Sequence, residues 1–222
     1  MARQLTFDLP SVENRTRGDY FVGPSNALAF ETLETPDNWP GGKLILIGPA
    51  GSGKTHLAHV WAETQNAALV AASDLLHSDP GALAGRSVVV DDADRVAGQP
   101  ALETALFHLH NLILAEGGRL LMTAATPPRD WGLALPDLFS RLSATAIARL
   151  EPPDDALLSM VLLKLFNDRQ LTIAPALLTF LTRRMGRSLA EAATLVDRLD
   201  KAALSENRAI TRAFAAKILD QD

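Results

Sequence analysis

Two short segments carry residues whose types and spacing suit phosphate chemistry. Gly48-Pro49-Ala50-Gly51-Ser52-Gly53-Lys54-Thr55 matches the pattern G-x-x-x-x-G-K-[ST]. Glycines allow the backbone to wrap a phosphate with its N–H groups turned inward, and a helix following the loop adds the positive end of its dipole. Lys54 is spaced to reach the β- and γ-phosphates, and the Thr55 hydroxyl to bind Mg²⁺. The second segment is Ser87-Val88-Val89-Val90-Asp91-Asp92, with Asp91 lying 91 − 54 = 37 residues beyond Lys54. An acid at the tip of a buried strand can hold Mg²⁺ through its water shell, and the adjacent Asp92 can orient an attacking water.

The surrounding elements are those this chemistry needs. Lys43–Ile47 reads as a buried strand running into the glycine loop, and Thr55–Gln65 as the helix leaving it. Ala67–Ala71, Ser87–Asp91, Arg119–Thr123 and Thr145–Arg149 are four more short apolar runs of the kind buried on both faces. Between them, Ala101–Glu116 places Leu102, Ala105, Leu106, Leu109, Leu112 and Ile113 on one helical stripe. The alternation predicts a parallel sheet with helices on both faces. The separation of Lys54 and Asp91 leaves room for one intervening strand, which points to the additional-strand group of phosphate-loop proteins. A nucleotide kinase would instead need an arginine-rich lid after the loop, and residues 56–86 contain only Arg86.

After Leu150 the strand pattern stops. Pro152-Pro153 breaks the chain, Asp154 is a helix N-cap, and Leu157, Leu158, Val161, Leu162, Leu165 and Phe166 mark an amphipathic helix. Pro175 opens a second helix ending near Gly186, Ser188 with Glu191 forms a capping box for a third, and Thr211 caps a fourth. Residues 1–20 are irregular, with only Leu5, Phe7 and Leu9 alternating, and read as a short extended tail.

Composition narrows the function classes. With 222 residues, 47% hydrophobic and 21% charged, the chain can hold a core without staples. The net charge of −5 argues against a protein whose main task is coating nucleic acid. The absence of Cys excludes a disulfide framework and a thiolate metal site, and makes the cytoplasm the expected compartment. No apolar run approaches the ~20 residues that span a membrane, and the first ten residues lack the apolar stretch of a secretion signal. The five histidines form no pair with a carboxylate at metal spacing; His56 and His59 read as helix-packing residues.

Taken together, the motifs resemble the DnaA-like AAA+ ATPases. The resemblance covers residues ~20–222 and rests on several segments. Lys43–Leu57 (KLILIGPAGSGKTHL) carries that family's G-K-T-H-L ending. Tyr20-Phe21-Val22-Gly23-Pro24-Ser25-Asn26 is similar to its F-V-x-G-x-S-N segment, and Val90-Asp91-Asp92 to its I-D-D. Phe107-His108-Leu109-His110-Asn111 is similar to F-H-x-x-N, and Leu121-Met122-Thr123 with Pro127-Pro128 to L-T-S-D-x-P-P. Leu138-Phe139-Ser140-Arg141-Leu142 is similar to the arginine-finger segment L-x-S-R-F. The resemblance implies a five-stranded parallel sheet in the order 5-1-4-3-2, followed by a small all-helical lid. It implies a tail over 1–19, an AAA+ nucleotide-binding region over 20–151 and a lid over 152–222.

It further implies ADP or ATP with Mg²⁺. Phe21, Val22, Asn26, Pro49, Ala50, Gly51, Ser52, Gly53, Lys54, Thr55, His56 and Arg187 would meet the nucleotide. Thr55 and Asp91 would hold the metal, and Arg141 and Asp92 would act on transferring phosphate. Two departures bear on turnover: Ala125 stands in the T-S-D segment, and a gapless match puts Ala190 at the sensor-2 arginine, with Arg187 one turn earlier as substitute. Weak intrinsic hydrolysis at most is the consequence. The chain stops at the lid, where DnaA continues into a helix-turn-helix domain. Its start, Gln4-Leu5-Thr6-Phe7-Asp8-Leu9, is similar to sliding-clamp-binding motifs, with Gln4, Leu5, Phe7 and Leu9 as the anchors. These departures resemble the Hda group of the family, the regulatory inactivators of DnaA. The implied partners are the sliding clamp (polymerase III β subunit), DnaA and a second copy of this chain. Little direct DNA binding and a nucleoid- or replisome-associated place in the cytoplasm are expected. The alternative is an adaptor or initiator paralogue acting as a DNA- or protein-loading ATPase.

Overall fold

Residues 20–220 of the computed structural model are described. The five apolar runs form β1 (Lys43–Ile47), β2 (Ala68–Ala71), β3 (Val88–Asp91), β4 (Leu120–Ala124) and β5 (Ala146–Arg149). They pair in the order β2-β3-β4-β1-β5, every ladder parallel, which is the order 5-1-4-3-2 read from the other edge. Leu44 of β1 lies opposite Leu121 of β4 and Ala146 of β5, so the strand leading into the glycine loop is held on both sides.

The period of two sorts each strand between two cores. Ile45, Ile47, Val88, Val90, Leu120 and Met122 face one side. There α4 (Pro100–Ala115) contributes Leu102, Leu106, Leu109 and Ile113, and α5 (Pro136–Ser143) contributes Leu138 and Leu142. Leu44, Leu46, Val89 and Leu121 face the other side. They meet Leu33 of α1 (Ala27–Glu34) and Leu57, Ala58 and Trp61 of α2 (Lys54–Thr64), with Trp39 stacked on Trp61 at 5.1 Å between centroids. A short helix, α3 (Pro80–Leu83), precedes β3.

The helical region is α6 (Asp155–Asp168), α7 (Pro175–Arg184), α8 (Leu189–Glu206) and α9 (Arg212–Leu219). Its caps are those the sequence announces. Asp154 accepts the Leu157 N–H at 2.8 Å, Ser188 the Glu191 N–H at 3.2 Å and Thr211 the Phe214 N–H at 3.2 Å. The capping box closes differently at its second half: Glu191 takes the Gly186 N–H at 2.8 Å rather than the backbone of Ser188. Leu158, Leu162 and Phe166 of α6 point into a core shared with Leu177, Leu181, Leu195 and Leu199. Burying a ring the size of Phe166 contributes roughly 2–3 kcal/mol.

One buried carboxylate orders the approach to α5. Glu103, 1% exposed, accepts the N–H groups of Gly98 at 3.0 Å, Ala134 at 3.0 Å and Leu135 at 2.7 Å. Three backbone donors compensate its desolvation and tie the loop before α5 to α4.

Candidate functional site

The glycine loop takes the shape its sequence demands. Gly51 (φ 72) and Gly53 (φ 96) adopt left-handed backbone that other residues reach only with strain. Gly51 also has no room for a side chain, because a Cβ there would lie 1.9 Å from Ser188 Oγ. Its carbonyl accepts the Leu189 N–H at 2.7 Å, so the loop touches the start of α8 directly. The Lys54 ammonium folds over the loop and donates to the Gly48 carbonyl at 2.8 Å and the Pro49 carbonyl at 3.0 Å. Burial pulls its pKa down, while the carboxylates of Asp92, Asp94 and Asp91 hold it up.

The acid pair sits at the end of β3 as expected. Thr55 Oγ1 lies 3.1 Å and 3.3 Å from the Asp91 carboxylate oxygens. Thr123, fully buried on β4, donates to Asp91 at 2.5 Å and accepts the Asp92 N–H at 2.8 Å. One hydroxyl thereby fixes the rotamer of the first acid and the left-handed backbone (φ 54) of the second. The Asp92 carboxylate is partly exposed and pairs with Arg95 at 3.0 Å. Ala125 lacks a polar side chain, but its N–H donates to Asp94 at 2.9 Å.

A cavity of about 420 Å³ opens beside this cluster, between the loop, the segment before α1, and helices α6 and α8. That volume suits a small organic ligand. Of the residues expected at a nucleotide, Phe21, Asn26, Gly51, Gly53, Lys54, Thr55 and His56 line it. Leu157, Val161 and Leu165 supply an apolar wall from the second face of α6. Asn26 acts within its own segment: it accepts the Gly23 N–H at 2.7 Å and donates to the Phe21 carbonyl at 2.8 Å. His56 packs edge-on against Tyr20, whose phenol pKa is raised by burial.

The other expected residues sit elsewhere. Pro49 and Ala50 are exposed on the outside of the loop, Ser52 is buried beneath it, and Val22 is 47% exposed away from the cavity wall. Arg187 is engaged by Asp155 at 2.9 Å and the Pro153 carbonyl at 3.1 Å, while Ala190 lines the cavity. Arg141 is exposed on α5, and its guanidinium has no partner among the described residues. Gln4, Leu5, Phe7 and Leu9 lie outside the described residues. The sequence gives no separate role to Thr123, to Tyr20 within its segment, or to the α6 wall; a threonine at the end of a buried strand is the signal that points to the first.

The donors fit a nucleotide and its metal. The loop offers a cation and glycine backbone, and Thr55 with Asp91 offers hard oxygens suited to Mg²⁺. Among the described residues no group of three or more His, Asp or Glu could hold a metal unaided, so phosphate and water oxygens would complete the shell. No helix among the described residues is long and apolar enough to cross a membrane.

A second polar cluster lies under α5. His110 is 1% exposed, and its pKa is pulled down to about 4, first by burial and then by the Lys43 charge, with Arg141 adding to the effect and Asn111 opposing it. The unfolded imidazole titrates near 6.5, so below that pH the unfolded chain takes up a proton that the folded ring refuses. Stability contributed by neutral His110 is therefore complete above pH 6.5 and is lost as pH falls toward 4. The expected slope is at most about 1.4 kcal/mol per pH unit. Urea melts at pH 7 and pH 5 on the wild type and on His110→Phe check it: the variant should lose less over that interval. Equal losses in both proteins would show that His110 does not titrate this way.

Fold and loop together define an α/β phosphate-loop fold in the AAA+ arrangement. Domain III of the replication initiation protein DnaA from Thermotoga maritima superposes with a TM-score of 0.82 at 19% identity, covering 94% of this chain and 97% of that chain. AMPPCP-bound DnaA from Aquifex aeolicus gives 0.68 at 16% identity, over 87% of this chain and 67% of that one. A RuvB structure from Thermotoga maritima gives 0.67 at 19% identity, over 91% and 71%. Residues 158–219 match the family described as Hda, lid domain. Residues 158–219 thus match an Hda-type lid, and the chain as a whole has the fold of DnaA domain III.

Proposed function

We propose that this chain is a nucleotide-binding regulator of replication initiation that, tethered to the DNA sliding clamp, promotes ATP hydrolysis by DnaA. The observation that carries the reading is Arg141: an exposed guanidinium, without a partner among the described residues, on a DnaA-like fold whose lid is of the Hda type. A planar guanidinium facing outward is suited to compensate charge on a neighbour's transferring phosphoryl group.

The cavity beside the glycine loop would take ADP or ATP; a similar structure, DnaA from Aquifex aeolicus, is AMPPCP-bound. Lys54 and the loop amides would grip the phosphates, Thr55 and Asp91 would hold Mg²⁺, and Phe21 with the α6 wall would cover the base. Mg²⁺, when bound, would screen phosphate charge. Asp92 would orient water, although its pairing with Arg95 leaves it less available and fits weak intrinsic turnover. Ala190 at the cavity supports the same conclusion, with Arg187 turned to Asp155. The division into a tail over 1–19, a nucleotide-binding region over 20–151 and a lid over 152–222 belongs to this reading.

The clamp contact would run through Gln4 at a pocket rim, with Leu5, Phe7 and Leu9 entering apolar pockets. Deleting residues 1–10, or combining Gln4→Ala with Leu5→Ala, is expected to remove clamp binding and leave the melting temperature within a few degrees. A pull-down on purified clamp with a parallel melt checks it. Full retention of clamp by the deletion would sink the tether.

A further inference from the structure

We propose that Lys43, braced by His110, is a positioning residue for Arg141: it pins the arginine's backbone and turns its side chain outward. The proposal rests on the reading of Arg141 given above.

Lys43 is the first residue of β1, yet its side chain serves α5. Its Nζ donates to the Arg141 carbonyl at 3.0 Å and lies 3.1 Å from His110 Nε2 on α4. The carbonyl is one that the end of α5 leaves open. The Thr145 N–H, which would have reached it in a continuing helix, bonds the Leu142 carbonyl instead at 3.0 Å. Thr145 Oγ1 adds a second side-chain donor to the same oxygen at 3.0 Å.

His110 is built to receive the ammonium. Its Nδ1 faces Asn111 Oδ1 at 3.2 Å, which assigns the ring proton to Nδ1 and leaves the Nε2 lone pair for Lys43. The ring stays neutral at physiological pH, so it braces the cation without repelling it.

A cap alone does not account for this arrangement. A neutral donor would satisfy the carbonyl, whereas an ammonium sits beside the like charge of Arg141; burial first, and that repulsion after it, pull the Lys43 pKa down. The same repulsion acts on the guanidinium. With its backbone pinned and a cation behind it, the arginine side chain is driven away from the core and toward solvent. Two cations thus stand together at the end of α5 on a chain of net charge −5, a pairing suited to a polyphosphate on a neighbour.

The experiment is ATP turnover by DnaA with clamp-loaded DNA and full-length protein. It compares wild type with Lys43→Met, Lys43→Arg, His110→Phe and Arg141→Ala, reading the maximal stimulated rate separately from the half-saturating concentration. A misplacement of about 1 Å can cost on the order of 10²-fold in rate. Lys43→Met is therefore expected to lower the maximum by about 10- to 100-fold, with half-saturation within about threefold and clamp binding unchanged. Lys43→Arg, which keeps charge and donors, should recover the maximum to within about threefold. His110→Phe should lower the maximum in the same direction and serves if Lys43→Met does not fold. A wild-type maximum in Lys43→Met or in folded His110→Phe, with Arg141→Ala inactive, overturns the positioning role alone. So does a Lys43→Arg protein as poor as Lys43→Met. If Arg141→Ala itself stimulates like wild type, the arginine reading fails and this proposal with it.

Discussion

Arg141→Ala is expected to bind its own nucleotide and the clamp normally and yet fail to stimulate ATP hydrolysis by DnaA. The arginine is exposed on α5, and in this reading it compensates charge that exists only while a phosphoryl group is transferring. Removing it should leave binding of the ground state alone. An arginine supplied by a neighbouring subunit is worth about 10³–10⁵ in rate, so the stimulated turnover should fall to near the unstimulated level. Arg141→Lys should fail largely too, because a point ammonium lacks the planar fork. The measurement is phosphate release by DnaA with clamp-loaded DNA and each variant. Wild-type stimulation by Arg141→Ala would rule the assignment out and make Arg149, also exposed at the end of β5, the next residue to replace.

Lys54→Ala is expected to abolish binding of adenine nucleotide with Mg²⁺. Lys54 is only 9% exposed; its ammonium rests on two loop carbonyls and feels the charge of three nearby carboxylates. Alanine would leave those carboxylates facing the phosphates without a compensating cation. Charge-assisted contacts of this kind contribute about 1.5–3 kcal/mol each, so losing the Lys54 contacts should weaken affinity by at least 10²-fold. Calorimetry with ADP and ATP reads the loss directly; wild-type affinity would contradict the placement of the phosphates.

Most of this architecture was legible because its signals are local. The five strands fall within a residue of the apolar runs, and Asp154, Ser188 and Thr211 cap the helices they were expected to open. The phosphate loop and Asp91 came from a motif whose strand-then-helix context holds. Three helices give weaker notice, α3 because it is only four residues long. Helix α1 has no side-chain cap, and α5 is eight residues long with only Leu138 and Leu142 buried. What the sequence could not display were partnerships between distant residues. Thr123 meets Asp91 across 32 positions, and Lys43 meets His110 across 67. Such pairs depend on strand order, which places β4 beside β3 and brings α4 and α5 together over β1.

The contact between Gly51 and the start of α8 has a consequence for how fast a ligand could come and go. The loop carbonyl is satisfied by a lid amide, so swinging the lid away would break one hydrogen bond and expose both groups to water. A bond of this kind is worth about 0.5–1.5 kcal/mol net, so this one contact favours closed over open by roughly 2- to 12-fold. That is a light catch, released by thermal motion many times during the residence of any tight ligand. Exchange at the cavity would then be paced by the ligand's own grip, while the catch ensures that an empty loop spends most of its time with the lid already in place.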